Sequence, residues 1–212
     1  MNAISRFLRL APALAAAALL SACGINTIPT QDEAVKAQWA EVQNQYQRRS
    51  DLIPNLVNTV KGYAAQERAV LTEVTEARAS ATQVKVDAST ITDPAQFQQF
   101  QQAQDKLSGV LGRLMMIQEN YPDLKSNQNF LALQSQLEGT ENRIAIARRD
   151  YNQSAQAYNT TLRTFPQVIY AKTIYGGQKP AQLFQATAAA QTAPTVDFGA
   201  PAAPAVPAPA QK

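Results

Sequence analysis

Apolar side chains recur every three or four residues from about residue 31 to residue 165, and this spacing constrains the fold more than any other feature. Such a repeat places the apolar side chains on one face of an α-helix, whereas a half-buried strand needs alternation at every second residue. The segment is rich in alanine, glutamine, glutamate, leucine and arginine, which favour helix. Its few glycines are Gly62, Gly109, Gly112 and Gly139. We therefore predict an all-α fold.

Four amphipathic helices are predicted from the extent of these apolar faces. They cover residues 31–49, 52–86, 94–120 and 127–164. Short connections favour an up-and-down order, in which each helix runs antiparallel to the one before it. The second and fourth helices would each be roughly 50 Å long at 1.5 Å per residue. The prediction is an elongated, antiparallel, up-and-down four-helix bundle that needs no cofactor in its core.

Proline residues set two of the predicted boundaries. Asp93 before Pro94 is typical of a helix start, because the carboxylate caps the first turn and the missing N–H of proline costs little there. Asp51 and Pro54 give a similar pattern, and they predict a break between the first and second helices. The alternative is one long helix that is kinked at Pro54.

The first residues have the organisation of an export signal. Arg6 and Arg9 precede an apolar run at residues 10–20, which is too short and too rich in alanine for a good membrane-spanning helix. The run ends in Leu20-Ser21-Ala22-Cys23, which resembles the lipobox of bacterial lipoproteins. In such signals a peptidase cuts before the cysteine, and the cysteine sulfur carries a diacylglycerol.

We therefore predict a signal peptide at residues 1–22, lipidation of Cys23 and a short tether at residues 23–30. The alternative is an uncleaved anchor helix with an incidental cysteine. Gly24 follows the cysteine, and this resembles the sorting pattern of outer-membrane lipoproteins. We expect a lipid-anchored protein of the bacterial envelope, in the outer membrane and facing the periplasm.

The C-terminal part divides into two segments of different composition. Residues 167–185 contain seven large apolar side chains, so we expect them to pack on the bundle with Phe184 as an anchor, which gives a helical domain at residues 31–185. Residues 186–212 are mostly alanine, proline, threonine and glutamine. A segment of this composition buries too little apolar surface to fold, and we predict a disordered tail.

The composition excludes several functions. The chain has no histidine and one cysteine, which removes the commonest general base, the commonest metal ligand and any disulfide within the chain. We predict no catalytic residue, no cofactor and no metal site. The formal charge is +3, and loss of Arg6 and Arg9 with the signal would leave +1, so we expect no nucleic-acid partner.

Charged residues cluster in two places on the predicted helices. We expect them to form a structural polar network of ion pairs and hydrogen bonds that fixes the register of the bundle. The members are Arg48, Arg49, Asp51, Glu138, Glu141, Arg143 and Arg148. The rival interpretation of Glu138 and Glu141, one helical turn apart, is an acid/base pair or a metal site. That interpretation lacks a histidine and a third clustered acid.

Several stretches resemble the LemA family, in order and with matching spacing between about residues 31 and 185. They are QRRSDLIPNLV at 47–57, TVKGYA at 59–64, TEARA at 75–79, YPDLKSNQNF at 121–130, LEGTENRI at 137–144, Arg148, Tyr151-Asn152, Tyr158-Asn159 and Phe165-Pro166. The resemblance implies a long antiparallel helical bundle held at a bacterial membrane, with no established enzymatic activity. Members of the family usually begin with a single membrane-spanning helix, which this chain replaces with a lipobox.

Two classes of function follow. The first is a non-enzymatic scaffold that displays a helical surface to envelope proteins, and it predicts co-purifying proteins or a homo-oligomer. The alternative is a module that binds cell wall or lipid through the bundle surface or the C-terminal tail. The alternative predicts sedimentation with isolated cell wall that is lost when residues 186–212 are removed.

Overall fold

The computed structural model describes residues 24–84, 87 and 89–185, and every regular element in this part of the chain is helical. The helices are α1 (Thr27–Tyr63), α2 (Arg68–Gln83), α3 (Pro94–Met116), α4 (Pro122–Lys125), α5 (Gln128–Thr161) and α6 (Gln167–Thr173), with a 3-10 helix at Ile117–Asn120. The predicted all-α class is confirmed. The predicted signal peptide, Cys23 and the predicted tail lie outside the described residues.

Helices α1 and α5 form the long antiparallel pair around which the other elements are arranged. Trp39 on α1 faces Tyr151 on α5, and ten residues further along α1, Arg49 faces Glu141. The two chains therefore run in opposite directions. With 37 residues in α1 and 34 in α5, each helix is about 50–55 Å long.

The core consists of two clusters along this pair. The tip core joins the second half of α1 to α2, α3, α4 and the start of α5, around Val60, Leu114 and Phe130. The base core joins the first half of α1 to the start of α3 and the second half of α5, around Trp39 and Tyr151. Because α2 has only 16 residues, it does not cover the base core. Residues 178–185, which follow α6, cover the base core instead.

Helix α1 continues through Pro54, so the predicted break at residues 50–51 is wrong and the alternative of one long helix describes the chain. Proline has no N–H to donate to the carbonyl four residues earlier, which belongs to Ser50. Arg78 on α2 supplies a donor, since its Nε lies 2.9 Å from the Ser50 carbonyl oxygen. The neighbouring helix therefore repairs the gap that Pro54 leaves in α1.

The chain breaks instead at residues 64–67, where α1 ends and α2 begins. Between residues 24 and 185, apart from the undescribed residues 85, 86 and 88, six α-helices replace the predicted four, because the long first helix leaves a short α2 and because α4 and α6 are separate elements. Helix α1 also begins at Thr27, inside the segment where a tether is predicted. Of the helices in the described ranges, none combines the length and apolarity that a membrane crossing requires.

Two predicted helix starts agree with the structure. Asp93 caps α3, and its carboxylate accepts hydrogen bonds from the backbone N–H groups of Ala95 and Gln96. Asn127 caps α5 by accepting from the N–H of Phe130 at 2.9 Å. Capping of this kind satisfies donors that have no partner within the helix.

Candidate functional site

Arg49 lies in the middle of α1, on the helix face that packs against α3 and α5. It follows Tyr46 and precedes Ile53 in a regular spacing of three and four residues, so its side chain points into the bundle. Only 1% of the residue is exposed. A buried guanidinium is costly unless its donors are paired.

Three side chains from two other helices accept hydrogen bonds from Arg49. Nη1 donates to Ser108 Oγ at 2.6 Å and to Glu141 Oε1 at 2.9 Å. Nη2 donates to Gln104 Oε1 at 2.6 Å and to the Gln104 carbonyl at 3.3 Å. We call Arg49, Gln104, Ser108 and Glu141 the arginine cluster. The cluster joins α1, α3 and α5 at one level.

The two charged partners of the arginine cluster differ in their exposure to water. The Glu141 side chain is 41% exposed, so water stabilises the anion while the cation is buried. The guanidinium of Arg49 lies 5.0 Å from the ring centre of Tyr46. Burial raises the pKa of the Tyr46 hydroxyl, and the nearby charges of Arg148 and Arg49 act in the opposite direction. None of these groups is placed as a nucleophile beside a base.

The structure brings some of the sequence-predicted polar residues together and separates others. Arg49 and Glu141 form the ion pair just described, and Arg148 lies one level away, with Nη1 3.9 Å from Asp105 Oδ1. The other four are Arg48, Asp51, Glu138 and Arg143, and all four are exposed. Within their own helices, Asp51 accepts from Gln47 and Glu138 accepts from Gln134.

Gln104 and Ser108 are members of the arginine cluster that the sequence analysis missed. Gln104 is only 6% exposed, and it lies between Phe100 and Leu107 on the apolar face of α3. A polar residue at a core position of an amphipathic helix is the signal that could have identified it. Ser108 follows one turn later and offers no comparable signal.

An extended segment at residues 178–185, which we call the strap, lies over the base core. Asn152 on α5 donates to the Phe184 carbonyl at 3.0 Å and accepts from the Phe184 N–H at 2.9 Å. Seven residues later, Asn159 makes the same pair of bonds to Ala181, each at 2.8 Å. Two asparagine side chains therefore bind the strap backbone as a neighbouring β-strand would.

Two tyrosines on α5 add a second row of contacts with the strap. Tyr151 donates to the Gln182 carbonyl, and Tyr158 donates to Gln178 Oε1, both at 2.8 Å. Burial raises the pKa of Tyr158 to about 12, and the negative charge of Asp32 acts in the same direction. Burial also raises the pKa of Tyr151 well above its usual range. Both hydroxyls therefore remain protonated donors at neutral pH.

Phe184 anchors the strap in the base core, as predicted. It is 7% exposed, and its ring centre lies 4.8 Å from Phe97, 5.5 Å from Tyr151 and 6.0 Å from Trp39. The Arg148 guanidinium lies on the ring at 4.5 Å. The residue thus closes an aromatic cluster that joins α1, α3 and α5.

Several open grooves lie beside these sites. One of about 500 Å³ runs between α3 and α5 next to Glu141, and its wall includes Leu111, Met115 and Leu137. In the part of the chain that the structure describes, no group of three or more histidine, cysteine, aspartate or glutamate residues could hold a metal ion.

Comparison with known proteins places most of the chain in one sequence family. Residues 38–198 match the LemA family. The chain is 28% identical over 184 residues to magnetosome protein MamQ 2 of Paramagnetospirillum magneticum, an alignment that covers 79% of this chain and 66% of that protein. It is 25% identical over 157 residues to magnetosome protein MamQ of Magnetospirillum gryphiswaldense, covering 66% and 58%.

A third relative is protein LemA of Metamycoplasma hominis, which is 25% identical over 124 residues, covering 58% of this chain and 52% of that protein. The chain therefore spans about two thirds or less of the length of these curated relatives.

Proposed function

Because the chain belongs to the LemA family, we propose that it is a lipid-anchored protein of the bacterial envelope that acts as a non-enzymatic helical scaffold. The anchor is a lipid on Cys23, and the helical domain presents its surface to envelope proteins. Localisation to the periplasmic face of the outer membrane follows from Gly24 after the cysteine.

The observation that carries this proposal is the position of α1 relative to Cys23. Three residues separate Cys23 from Thr27, where α1 starts. Such a connection extends at most about 14 Å from Cys23 to Thr27. A lipid on Cys23 would hold the base core close to the membrane surface, and a rigid rod about 50 Å long would carry the tip core away from it.

The tip offers a surface for protein partners. Tyr63 at the end of α1 is 45% exposed and Met116 at the end of α3 is 64% exposed. Both types of side chain are common in protein interfaces. Tyr63 is held in place by a hydrogen bond of 2.7 Å from Asn127 Nδ2 to its hydroxyl. We propose that envelope proteins, or a second copy of this chain, bind at this end.

The non-enzymatic part of the proposal rests on the composition and on the arginine cluster. The chain has no histidine. Among the described residues, the most deeply buried charged side chain is that of Arg49, and its two Nη atoms make four hydrogen bonds to neighbouring groups. A guanidinium held inside the bundle in this way is not poised to act on a substrate.

The anchor is tested by metabolic labelling of cells with a clickable palmitate, comparing the native chain with Cys23→Ala, followed by separation of the inner and outer membranes. We expect label on the native chain alone, in the outer-membrane fraction. An unlabelled chain that remains in the membrane would mean that residues 10–22 act as an uncleaved anchor, and the lipid proposal would be wrong.

The scaffold role is tested by a photo-crosslinking amino acid placed at position 63 or 116 in cells. Lys106, which is exposed on the middle of α3, gives the matched control position. We expect discrete crosslinked proteins from the tip positions and none from position 106. Equal crosslinking from all three positions would contradict a partner site at the tip.

A further inference from the structure

Three large apolar side chains are exposed between residues 165 and 174, a stretch that runs from the α5–α6 connection to the residue after α6. Phe165 is 79% exposed, Ile169 is 50% exposed and Ile174 is 58% exposed. They lie within ten residues of one another, and Phe165 is the most exposed large apolar residue in the described part of the chain. An exposed apolar group of this kind on a folded domain is typical of a contact surface.

The charges around these side chains are positive. Between residues 151 and 185 the sequence contains Arg163, Lys172 and Lys179 and no acidic residue, and all three basic side chains are exposed. The nearest acids on α1 are Asp32 and Glu33, which share the Lys36 ammonium at 2.7 Å each. We call the surface formed by residues 163–179 the base face.

The base face lies at the end of the rod where the N-terminal segment joins the fold. Helix α6 contacts α1, and Tyr170 and Ala171 pack on the base core, which also contains Ile28. The charges of Asp32 and Lys36, near the start of α1, act on the pKa of Tyr158, which lies near the end of α5. The start of α1 therefore lies at the same end of the rod as the base face.

We infer that the base face binds an anionic phospholipid bilayer, with Phe165, Ile169 and Ile174 inserted at the interface. Arg163, Lys172 and Lys179 would bind lipid phosphates. Apolar side chains interleaved with basic ones, without acids, are the pattern of interfacial membrane contacts. The same pattern disfavours a second copy of this face as the occupant, because the like charges would repel.

This inference rests on the proposed function in one respect, since it needs this end of the rod to be at a membrane. Either a lipid on Cys23 or an uncleaved apolar segment would provide that position. The inference adds a second contact, which would set how the rod is oriented on the bilayer. One flexible lipid tether alone would leave the rod free to tilt.

The test places an environment-sensitive fluorophore on the full chain after reconstitution into vesicles. The dye is attached to Ile169→Cys and, as the matched control, to Ile146→Cys, because both isoleucines are 50% exposed. Labelling of the native chain measures any background from Cys23. In phosphatidylethanolamine vesicles containing phosphatidylglycerol, we expect blue-shifted emission at position 169 that is quenched by spin-labelled lipid, and a water-like signal at position 146.

A second set of variants tests whether the basic residues contribute to membrane binding. In the Ile169→Cys chain, replacing Arg163, Lys172 and Lys179 by glutamine should reduce lipid quenching several-fold. Replacing the exposed basic residues Arg68, Lys106 and Arg143 by glutamine should leave it unchanged. Phosphatidylcholine vesicles should reproduce the loss, because they carry no net charge.

Two outcomes would overturn the inference. A water-like signal at position 169 on vesicles that retain the protein would mean that the base face stays in solvent. A blue-shifted signal that lipid quencher does not reach would mean that protein covers this face. Neither outcome would contradict lipidation of Cys23. Failure of palmitate labelling would contradict lipidation of Cys23, and it would leave membrane binding by the base face unaffected.

Discussion

At the scale of single residues, the contact between Arg78 and the Ser50 carbonyl explains how α1 tolerates a proline in its interior. Pro54 removes the donor that would normally satisfy this carbonyl, and its ring crowds the preceding turn. Because Ser50 is buried, water is a poor substitute donor. The 2.9 Å bond from Arg78 Nε therefore supports the helix interior and is not a surface ion pair.

We expect Arg78→Met to lower the free energy of unfolding by about 1–2 kcal/mol, because it leaves the Ser50 carbonyl unsatisfied. The loss should be smaller by about 1 kcal/mol when Pro54→Ala is also present, since the new backbone N–H can then donate. Urea denaturation of the single and double variants measures this coupling. Arg68→Met, on an exposed position of the same helix, should change stability by no more than about 0.5 kcal/mol.

Arg49 should be far more important to stability than its neighbour Arg48. Arg49→Met removes the donors to Gln104, Ser108 and Glu141, and we expect a loss of about 2–3 kcal/mol. Arg48→Met, on an exposed residue, should change the free energy of unfolding by about 0.5 kcal/mol or less. Thermal and urea unfolding of the two variants give the comparison. Equal effects would contradict a structural role of the arginine cluster.

The sequence could identify Arg49 as part of a polar network, but it did not separate Arg49 from Arg48. The distinction depends on which face of the helix each side chain occupies. From Val35 to Val60 the buried positions of α1, apart from Ser50, alternate in steps of four and three residues, and Arg49 occupies one of them while Arg48 does not. Counting Arg49 as a core residue would also have favoured one continuous helix, because the spacing passes through residues 49 to 56 without interruption.

At the scale of elements, the strap takes the place of a fourth helix over the base core. Asn152 and Asn159 bond its backbone at Phe184 and Ala181, so an extended segment packs on the bundle without a β-sheet. Phe184 supplies the apolar anchor. Composition and apolarity predicted that this region packs on the bundle with Phe184 inward. The hydrogen-bonding asparagines were not predicted, because their partners are backbone groups that carry no sequence signal.

We expect Phe184→Ala to cost about 3–5 kcal/mol, since it opens a cavity between α1, α3 and α5. Leu183→Ala is the matched control, because Leu183 is adjacent and 39% exposed, and it should cost about 0.5 kcal/mol. Trp39 is the only tryptophan and its ring contacts Phe184, so its fluorescence reports the change directly. An unchanged tryptophan spectrum in Phe184→Ala would contradict the anchoring role.

The strap should also loosen at alkaline pH. The pKa of Tyr158 is raised in the folded protein to about 12 from an ordinary value of 10.0, so its contribution to stability is complete below about pH 10. Above that pH the unfolded chain loses the proton first, and the contribution is lost as the pH rises through the folded value. Urea unfolding between about pH 10 and pH 12 should therefore show a steeper decline for the native chain than for Tyr158→Phe.

The break between α1 and α2 shows why element boundaries were the least predictable feature. The connection has the sequence Ala64-Ala65-Gln66-Glu67, which contains no glycine or proline and consists of good helix formers. The local sequence therefore favours continued helix. Packing decides otherwise, because Ile53 on α1 and Ala81 on α2 are both buried in the tip core. An uninterrupted helix would hold these two residues about 42 Å apart, so the chain must reverse direction between them.

At the scale of the whole molecule, the antiparallel α1–α5 pair makes the domain a rod with two different ends. The base end combines the N-terminal connection with the basic and apolar residues of α6. The tip end combines Tyr63, Met116 and the short α4. The elongated shape could be predicted from the lengths of the helices. Which residues lie at each end could not, because that depends on where the chain breaks after α1.

If the rod stands on the membrane, a dye at Met116→Cys should lie about 50 Å from acceptors in the bilayer surface, whereas a dye at position 169 should lie at the surface. Energy transfer from each site to a lipid-attached acceptor in reconstituted vesicles measures both distances. Similar transfer from the two sites would mean that the rod lies flat, and the tip would then not be displayed to partners.

The bond from Arg78 to Ser50 also has a consequence for the order in which the chain is made. The donor follows the acceptor by 28 residues, so α2 must leave the ribosome as far as Arg78 before the middle of α1 can be completed. Until then the nascent helix has a weak point at Pro54, and its two halves behave as separate short helices of limited stability. The longest element of the molecule becomes a single rigid unit only when its neighbour has been synthesised and has docked beside it.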